Sequence, residues 1–194
     1  MKELVIASNN KGKITEIRAI MDPQMALYSL EDIHFNREIE EPFHTFEENA
    51  LTKAQTVFNF CGKNCFADDS GLCVPALRNE PGVHSAYYGG LPRSDRKNNE
   101  RLLKELQNVT DRSAFYKCVI CLLWEGSTYF FEGSCPGKIA TEPSGDKGFG
   151  YDPLFIPEGY EQSFGTLPLT LKNELSHRGK AVRQMVAFIN GQLT

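Results

Sequence analysis

No run in this 194-residue chain approaches the ~20 apolar residues that a membrane helix needs. The opening Met1-Lys2-Glu3-Leu4-Val5-Ile6-Ala7-Ser8 gives way to Asn9, Asn10 and Lys11 too soon for a signal peptide. A membrane-embedded or secreted protein is therefore not expected, and a soluble cytoplasmic one is. Excess positive charge is also missing. The 21 Lys and Arg residues are outnumbered by 25 Asp and Glu residues, for a net charge of −4. General binding to DNA or RNA normally leaves a basic footprint and is not expected. A small anionic ligand remains compatible, because it needs only a local group of cations.

Paired cysteine spacing is scarce as well. Of the six cysteines, only Cys118 and Cys121 form a C-x-x-C, and they lie in the strand-like run Phe115-Tyr116-Lys117-Cys118-Val119-Ile120-Cys121-Leu122-Leu123-Trp124. Residues three apart on a strand point to opposite faces, so the two thiols cannot share one ion. Without a secretory signal, disulfides are not expected either. The cysteines read as small buried hydrophobes. No segment repeats or is low in complexity. Hydrophobic residues make up 41% and charged residues 24%, which are ordinary globular values, and the length suits a single domain over 1–194.

The periodicities predict an α/β fold. Glu3–Ala7 reads as a buried strand, followed by a polar loop and a helix carrying Ile14, Ile17, Ile20 and Met21. Met25–Leu30 is a second strand. Thr45-Phe46-Glu47-Glu48 fits a capping box that opens a helix with Ala50, Leu51, Ala54, Val57 and Phe58 on its apolar face. Asn64–Asp68 is a short strand ending in acid. Ser94–Val109 reads as helix, and Ala114–Trp124 with Thr128–Gly133 reads as a hairpin turning at Glu125-Gly126. Gly137–Thr141 and Leu154–Ile156 are further short strands. A last helix starts at Ser176 as N-cap, buries Val182, Met185, Val186 and Ile189, and ends at Asn190-Gly191. Hairpins beside strand–helix units imply a mixed sheet.

Four segments gather polar residues at element ends. Ser8-Asn9-Asn10-Lys11-Gly12-Lys13 precedes a helix, where backbone N–H groups favour an anion and Lys13 adds charge. Its spacing is not that of a Walker A loop, and a plain capped turn accounts for it equally well. Asp68-Asp69-Ser70-Gly71 places adjacent carboxylates after a strand. That suits Mg²⁺, which takes one or two carboxylates and keeps its waters, although a solvated acidic turn has the same composition. Glu40-Glu41 offers a further ligand, and Asn49 and Lys53 lie four apart off the apolar helix face, where they suit a cleft lining, although an ordinary exposed helix face has the same pattern. Gly148-Phe149-Gly150-Tyr151-Asp152 brackets an aromatic in a turn, which suits stacking on a base while backbone groups around Gly150 read its edge, although a tight turn with a core aromatic has the same pattern. Lys172 and the Ser176-His177-Arg178 start of the last helix bring cations to a helix N-terminus, which an anionic ligand would offset.

Taken together, these segments resemble the inosine triphosphate pyrophosphatase family, the Ham1-type dITP/XTP pyrophosphatases. The likeness is carried by Ser8-x-Asn10-x-x-Lys13, Phe46-x-Glu48-Asn49-Ala50-x-x-Lys53-Ala54, Ala67-Asp68-Asp69-Ser70-Gly71-Leu72, Gly148-Phe149-Gly150-Tyr151-Asp152-Pro153 and Ser176-His177-Arg178-Gly179, in the family's order along nearly the whole chain. The resemblance implies an elongated mixed β-sheet with flanking helices, two lobes around a nucleotide cleft, and a homodimer. It implies Asp69 as general base and Mg²⁺ ligand, with Glu41 as second acidic ligand. Ser8, Asn9, Asn10, Lys11, Gly12, Lys13, Lys53, Ser70 and Lys172 would hold phosphates and sugar. Phe149, Gly150, Tyr151 and Asp152, with His177 and Arg178, would hold the purine. One departure is Ser85-Ala86-Tyr87-Tyr88 after Pro81-Gly82, where the family usually carries Arg in place of Tyr87. The expected activity is hydrolysis of ITP, dITP and XTP to the monophosphate and pyrophosphate. A Maf-type pyrophosphatase and a nucleotide-binding regulator with little turnover are the competing readings.

Overall fold

A computed structural model describes residues 3–192. In chain order its regular elements are β1 (Glu3–Ile6), α1 (Lys11–Arg18), β2 (Ala26–Tyr28), α2 (Phe46–Cys61), β3 (Cys65–Val74), β4 (Glu80–Pro81), α3 (Asp95–Glu105), β5 (Ser113–Trp124), β6 (Ser127–Ile139), β7 (Phe155–Pro157), α4 (Leu169–Leu175) and α5 (His177–Gly191). The strands form one mixed sheet in the order β2-β1-β3-β5-β6-β7, with β4 paired to β3. β1 runs parallel to β2 and β3, whereas β4 and β7 run antiparallel to their partners. The mixed sheet with flanking helices is the fold class expected from the periodicities.

Local chemistry sets the element ends. Thr45 caps α2, its hydroxyl accepting from the Glu48 N–H at 3.2 Å and donating to the Glu48 carboxylate at 2.6 Å. Such a cap contributes about 1 kcal/mol. Gly62 closes the same helix in the left-handed region, at φ +64°. Glu125 and Gly126 both have positive φ, 49° and 82°, which matches the twist of the β5–β6 hairpin. Two strand expectations change. Thr128–Gly133 and Gly137–Thr141 merge into the single strand β6, and the strand expected to stop at Asp68 runs on to Val74. The acidic pair is therefore in mid-strand and not at a strand end.

The chain divides into two compact units. The first contains the residues up to Asp69, Cys118–Gly133, and those from Arg178 onward; the second contains Ser70–Lys117 and Ser134–His177. In the first unit the sheet separates two apolar clusters by strict alternation. Leu4, Ile6, Phe66, Cys118, Ile120, Leu122 and Trp124 pack with Ile17 of α1 and with Ala181, Val182, Met185 and Ile189 of α5. Val5, Ala7, Cys65, Ala67, Cys121 and Leu123 pack with Ala50, Ala54 and Val57 of α2. Cys118 and Cys121 thus lie on opposite faces, as the spacing predicted. The second unit has its own core, in which Tyr88, Leu102, Leu106, Tyr116, Tyr151, Phe155 and Phe164 are prominent.

Candidate active site

The alternation of β3 places the two acids. Phe66 and Asp68 share the face covered by α1 and α5, while Cys65, Ala67 and Asp69 share the face covered by α2. Ala50 and Ala54 keep that side of α2 slim, so the helix lies close enough for Asn49 and Lys53 to reach Asp69. Lys53 Nζ lies 3.1 Å from Asp69 Oδ1 and 2.8 Å from Glu41 Oε1. Asn49 Nδ2 donates to Asp69 Oδ2 at 3.3 Å and to the Phe43 carbonyl at 3.1 Å, and its oxygen accepts from the Phe43 N–H. Two carboxylates thus share one ammonium group. Burial pushes the Asp69 carboxyl up, and the charge of Glu41 adds to this against the pull of Lys53 and Lys13. Lys53 resists its own burial because Asp69, Glu41 and Asp68 hold its proton on.

The other face is balanced. Lys13 Nζ lies 3.0 Å from Asp68 Oδ2, Arg178 Nε bonds the same oxygen at 3.2 Å, and Arg178 Nη1 pairs with Glu16. In these pairs two carboxylates meet two cations. Burial alone would raise the Asp68 carboxyl, but Lys13, Arg178 and Lys53 outweigh it and hold the group far below the usual carboxylate range. The two adjacent carboxyls are thus pushed in opposite directions by their surroundings.

The loop ahead of α1 is wound on itself. Ser8 Oγ accepts from the Asn10 N–H, and Asn10 Oδ1 accepts from the Lys13 N–H, both at 3.2 Å. Asn10 is therefore the N-cap and occupies one first-turn donor. Asn9 and Lys11 are exposed, and Gly12 is half-buried. Ser70 follows Asp69 on β3. Gly71 admits no side chain, since a Cβ there would lie 2.1 Å from the Gly82 carbonyl oxygen.

In the second unit the aromatic loop is held by its own acid. Asp152 Oδ2 accepts from the Phe149 N–H at 2.8 Å and from Lys172 Nζ at 2.5 Å. Lys172 also sits 4.9 Å from the centroid of the Phe149 ring. Lys172, expected among phosphate contacts, is thus grouped with Phe149 and Asp152. Gly148 is left-handed at φ +76°, and a Cβ there would strike Asp152 Oδ2 at 2.0 Å. The Tyr151 hydroxyl donates to the Ser85 carbonyl at 2.8 Å. His177 is buried with its ring parallel to Tyr116, centroids 4.6 Å apart. Tyr87, at the position of the usual arginine, is 52% exposed.

The sequence model of the Ham1 family matches residues 4–188 of this chain. The chain belongs to the Ham1 family. Its relatives include the dITP/XTP pyrophosphatase of Christiangramia forsetii, 45% identical over 97% of this chain and 99% of that protein. The dITP/XTP pyrophosphatase of Flavobacterium johnsoniae is 47% identical over 96% of this chain and 97% of its own length. Among solved structures, the Ham1 protein of Staphylococcus aureus superposes with a TM-score of 0.89 at 40% identity, covering 98% of this chain and all of that one. No helix among the described residues is long and apolar enough to cross a membrane.

Three side chains that contact the expected residues were not foreseen. Glu16 lies three residues from Lys13 on α1, a spacing that puts both on one helix face, yet an acid in a short polar helix reads as solvated. Asp95 and Asn99 of α3 touch the aromatic loop from 55 and 51 residues away in sequence.

Proposed function

We propose that the chain hydrolyses non-canonical purine nucleoside triphosphates (ITP, dITP and XTP) to the monophosphate and pyrophosphate. The observation that carries this reading is Asp69, a buried carboxyl pushed up in pKa and bonded to Lys53 and Asn49. A carboxylate with a raised pKa is the stronger base, and such tuning suits proton abstraction from water. The names of the relatives support the substrate class.

Water attacks the α-phosphorus of a polyanion, so negative charge must be neutralised before a nucleophile approaches. Lys13 and Lys53 provide fixed positive charge of the kind that is typically the largest catalytic contribution. Asp69 orients the water and takes its proton as the bond to oxygen forms, and pyrophosphate leaves with the electron pair of the α–β bridge. No covalent intermediate is needed.

Among the described residues no group of three or more His, Cys, Asp or Glu is placed to hold a metal ion. Mg²⁺ asks for less, since one or two carboxylates with waters and substrate phosphates suffice. Glu41 and Asp69 converge on one cation, Lys53, and leave one negative charge uncompensated among the three, so the donor set fits a divalent ion. When bound by Glu41 and Asp69, Mg²⁺ would neutralise phosphate charge and make the attacking water more acidic.

Ser8, Asn9, Asn10, Lys11, Gly12, Lys13, Lys53 and Ser70 are assigned to phosphates and sugar. Phe149, Tyr151, Asp152, Lys172, His177 and Arg178 are assigned to the purine. An arginine donates hydrogen bonds and accepts none, which suits the O6 of hypoxanthine or xanthine and opposes the amino group of adenine. Homodimeric assembly, a cytoplasmic location and cleansing of the nucleotide pool accompany this reading on the strength of the family resemblance.

Pyrophosphate release from ITP, XTP, GTP and ATP with Mg²⁺ tests the proposal. The expected kcat/KM for ITP exceeds that for ATP by about a hundredfold or more, since each unpaired buried donor costs ~1–3 kcal/mol. Equal efficiency on ATP and ITP would overturn it. In Arg178→Ala the ITP to ATP ratio is the informative quantity, because Arg178 also holds Asp68 and Glu16 and its loss lowers overall stability.

A further inference from the structure

Asp95 and Asn99 lie one turn apart on α3 and close on the same residue of the aromatic loop. The Gly150 N–H donates to Asp95 Oδ2 at 2.7 Å, and the Gly150 carbonyl accepts from Asn99 Nδ2 at 2.9 Å. The same Asn99 amide nitrogen donates to the Asp95 carbonyl at 2.9 Å. Its oxygen is buried with no hydrogen-bond partner among the described residues. Asn99 therefore serves through its donors alone, and an acceptor in its place would face two carbonyls.

The clamp acts on the peptide that follows Phe149. Gly150 is left-handed, at φ +63°, a conformation in which many orientations are open to glycine until its N–H and C=O are both engaged. The Gly150 N–H belongs to the same peptide plane as the Phe149 carbonyl. Fixing it on Asp95, while the Phe149 N–H is fixed on Asp152, grips the aromatic residue from both sides. The neighbouring Asn98 has a different task. It is 1% exposed and bonds the Ser85 and Ala86 carbonyls and the Gly89 N–H, bracing the segment after β4.

We propose that Asp95 and Asn99 are positioning residues for purine recognition, holding the Gly150 peptide so that Phe149 meets the base. This rests on the assignment of Phe149 to the purine above. It also follows that the N–H of Gly150 is taken up by α3 and does not read the base edge, so donors that discriminate the base lie elsewhere.

Steady-state kinetics on the full-length enzyme, with amide hydrogen exchange across residues 148–152, tests the clamp. Asn99→Ala is expected to raise KM for ITP about tenfold while changing kcat far less, the loss of one hydrogen-bonding contact's worth of binding. Asn99→Asp is expected to be worse, because it turns an acceptor toward two carbonyl oxygens. Asp95→Ala should mimic Asn99→Ala, and Asp95→Asn, which keeps an acceptor, should recover most of that loss. Asp95 lies partly in solvent, so this pair remains informative if the Asn99 variants fold poorly. Exchange at Gly150 should quicken in both alanine variants. In a Phe149→Ala background, Asn99→Ala should add little further to KM, whereas a purely structural role would add its full effect. Unchanged KM in an active enzyme, unchanged exchange, or additive losses in the double variant would overturn the clamp. A wild type that exchanges normally but turns over no purine triphosphate would instead sink the purine assignment, and the functional role of the clamp with it.

Discussion

The two faces of β3 carry the same side chain at adjacent positions and treat it in opposite ways. On one face Asp68 lies among Lys13, Arg178 and, through Arg178, Glu16, and its carboxyl is held far below the usual range. On the other, Asp69 shares Lys53 with Glu41 and its carboxyl is pushed up. Burial is severe on both faces, so the difference lies in charge balance. A buried carboxylate with matched cations is held charged, and one left with surplus negative charge is pushed toward its protonated form, which suits the role of base proposed for Asp69.

The largest expected effect comes from Asp69→Asn. Loss of a general base lowers the rate about 10²–10⁴-fold, and kcat for ITP should fall in that range. Stability should change little or rise, because a carboxyl raised in the folded state is a mild liability once charged. In the wild type, kcat/KM should fall as pH drops through the raised Asp69 pKa, since the protonated acid cannot take a proton. A well-folded Asp69→Asn variant with near-normal turnover would erase the distinction between the faces.

Asp68→Asn should do the reverse. Removing one partner of a buried ion-pair network costs about 3–5 kcal/mol, because Lys13 and Arg178 lose the charge they face. The sign of the pH effect follows from the depressed carboxyl. Its stabilisation is fully present above the unfolded value of about 3.9 and is lost as pH falls toward the folded value, so the variant should lose less stability than wild type below about pH 4. Denaturant midpoints measured across that window check this, and parallel losses in both proteins would contradict it.

The smallest effect is expected from Glu41→Gln. Removing its charge lowers the Asp69 carboxyl, so the acid limb of the pH–rate profile moves to lower pH, modestly because Glu41 is the exposed member of the group. A shift to higher pH would mean that Glu41 acts on Asp69 in some other way.

Much of this arrangement was legible from local pattern. The Thr45 capping box, the Ala50–Ala54–Val57–Phe58 stripe and the Glu125-Gly126 turn depend on neighbours a few residues away and formed as read, whereas Leu51, read onto the same apolar face, is exposed. The opposite surroundings of Asp68 and Asp69 were only half legible. The strand was expected to stop before it could set them on opposite faces, but β3 continues because Gly71 fits under Gly82 and the Leu72 N–H bonds Ser85 Oγ at 2.9 Å. Glu16 and Arg178 meet across 162 residues of sequence, and no local period encodes such a pair. Asp95 and Asn99 were hidden for the same reason. α4 carries Lys172 but is only seven residues long, so its Leu171–Leu175 pair, which packs on the second unit's core, is too short a stripe to announce a helix.

Hydrolysis of ITP in ¹⁸O-labelled water by the wild-type enzyme with Mg²⁺ tests the central claim most directly. Attack by an Asp69-activated water on the α-phosphorus predicts one ¹⁸O in the nucleoside monophosphate and none in the pyrophosphate. Label in pyrophosphate, or stepwise release of orthophosphate, would contradict it.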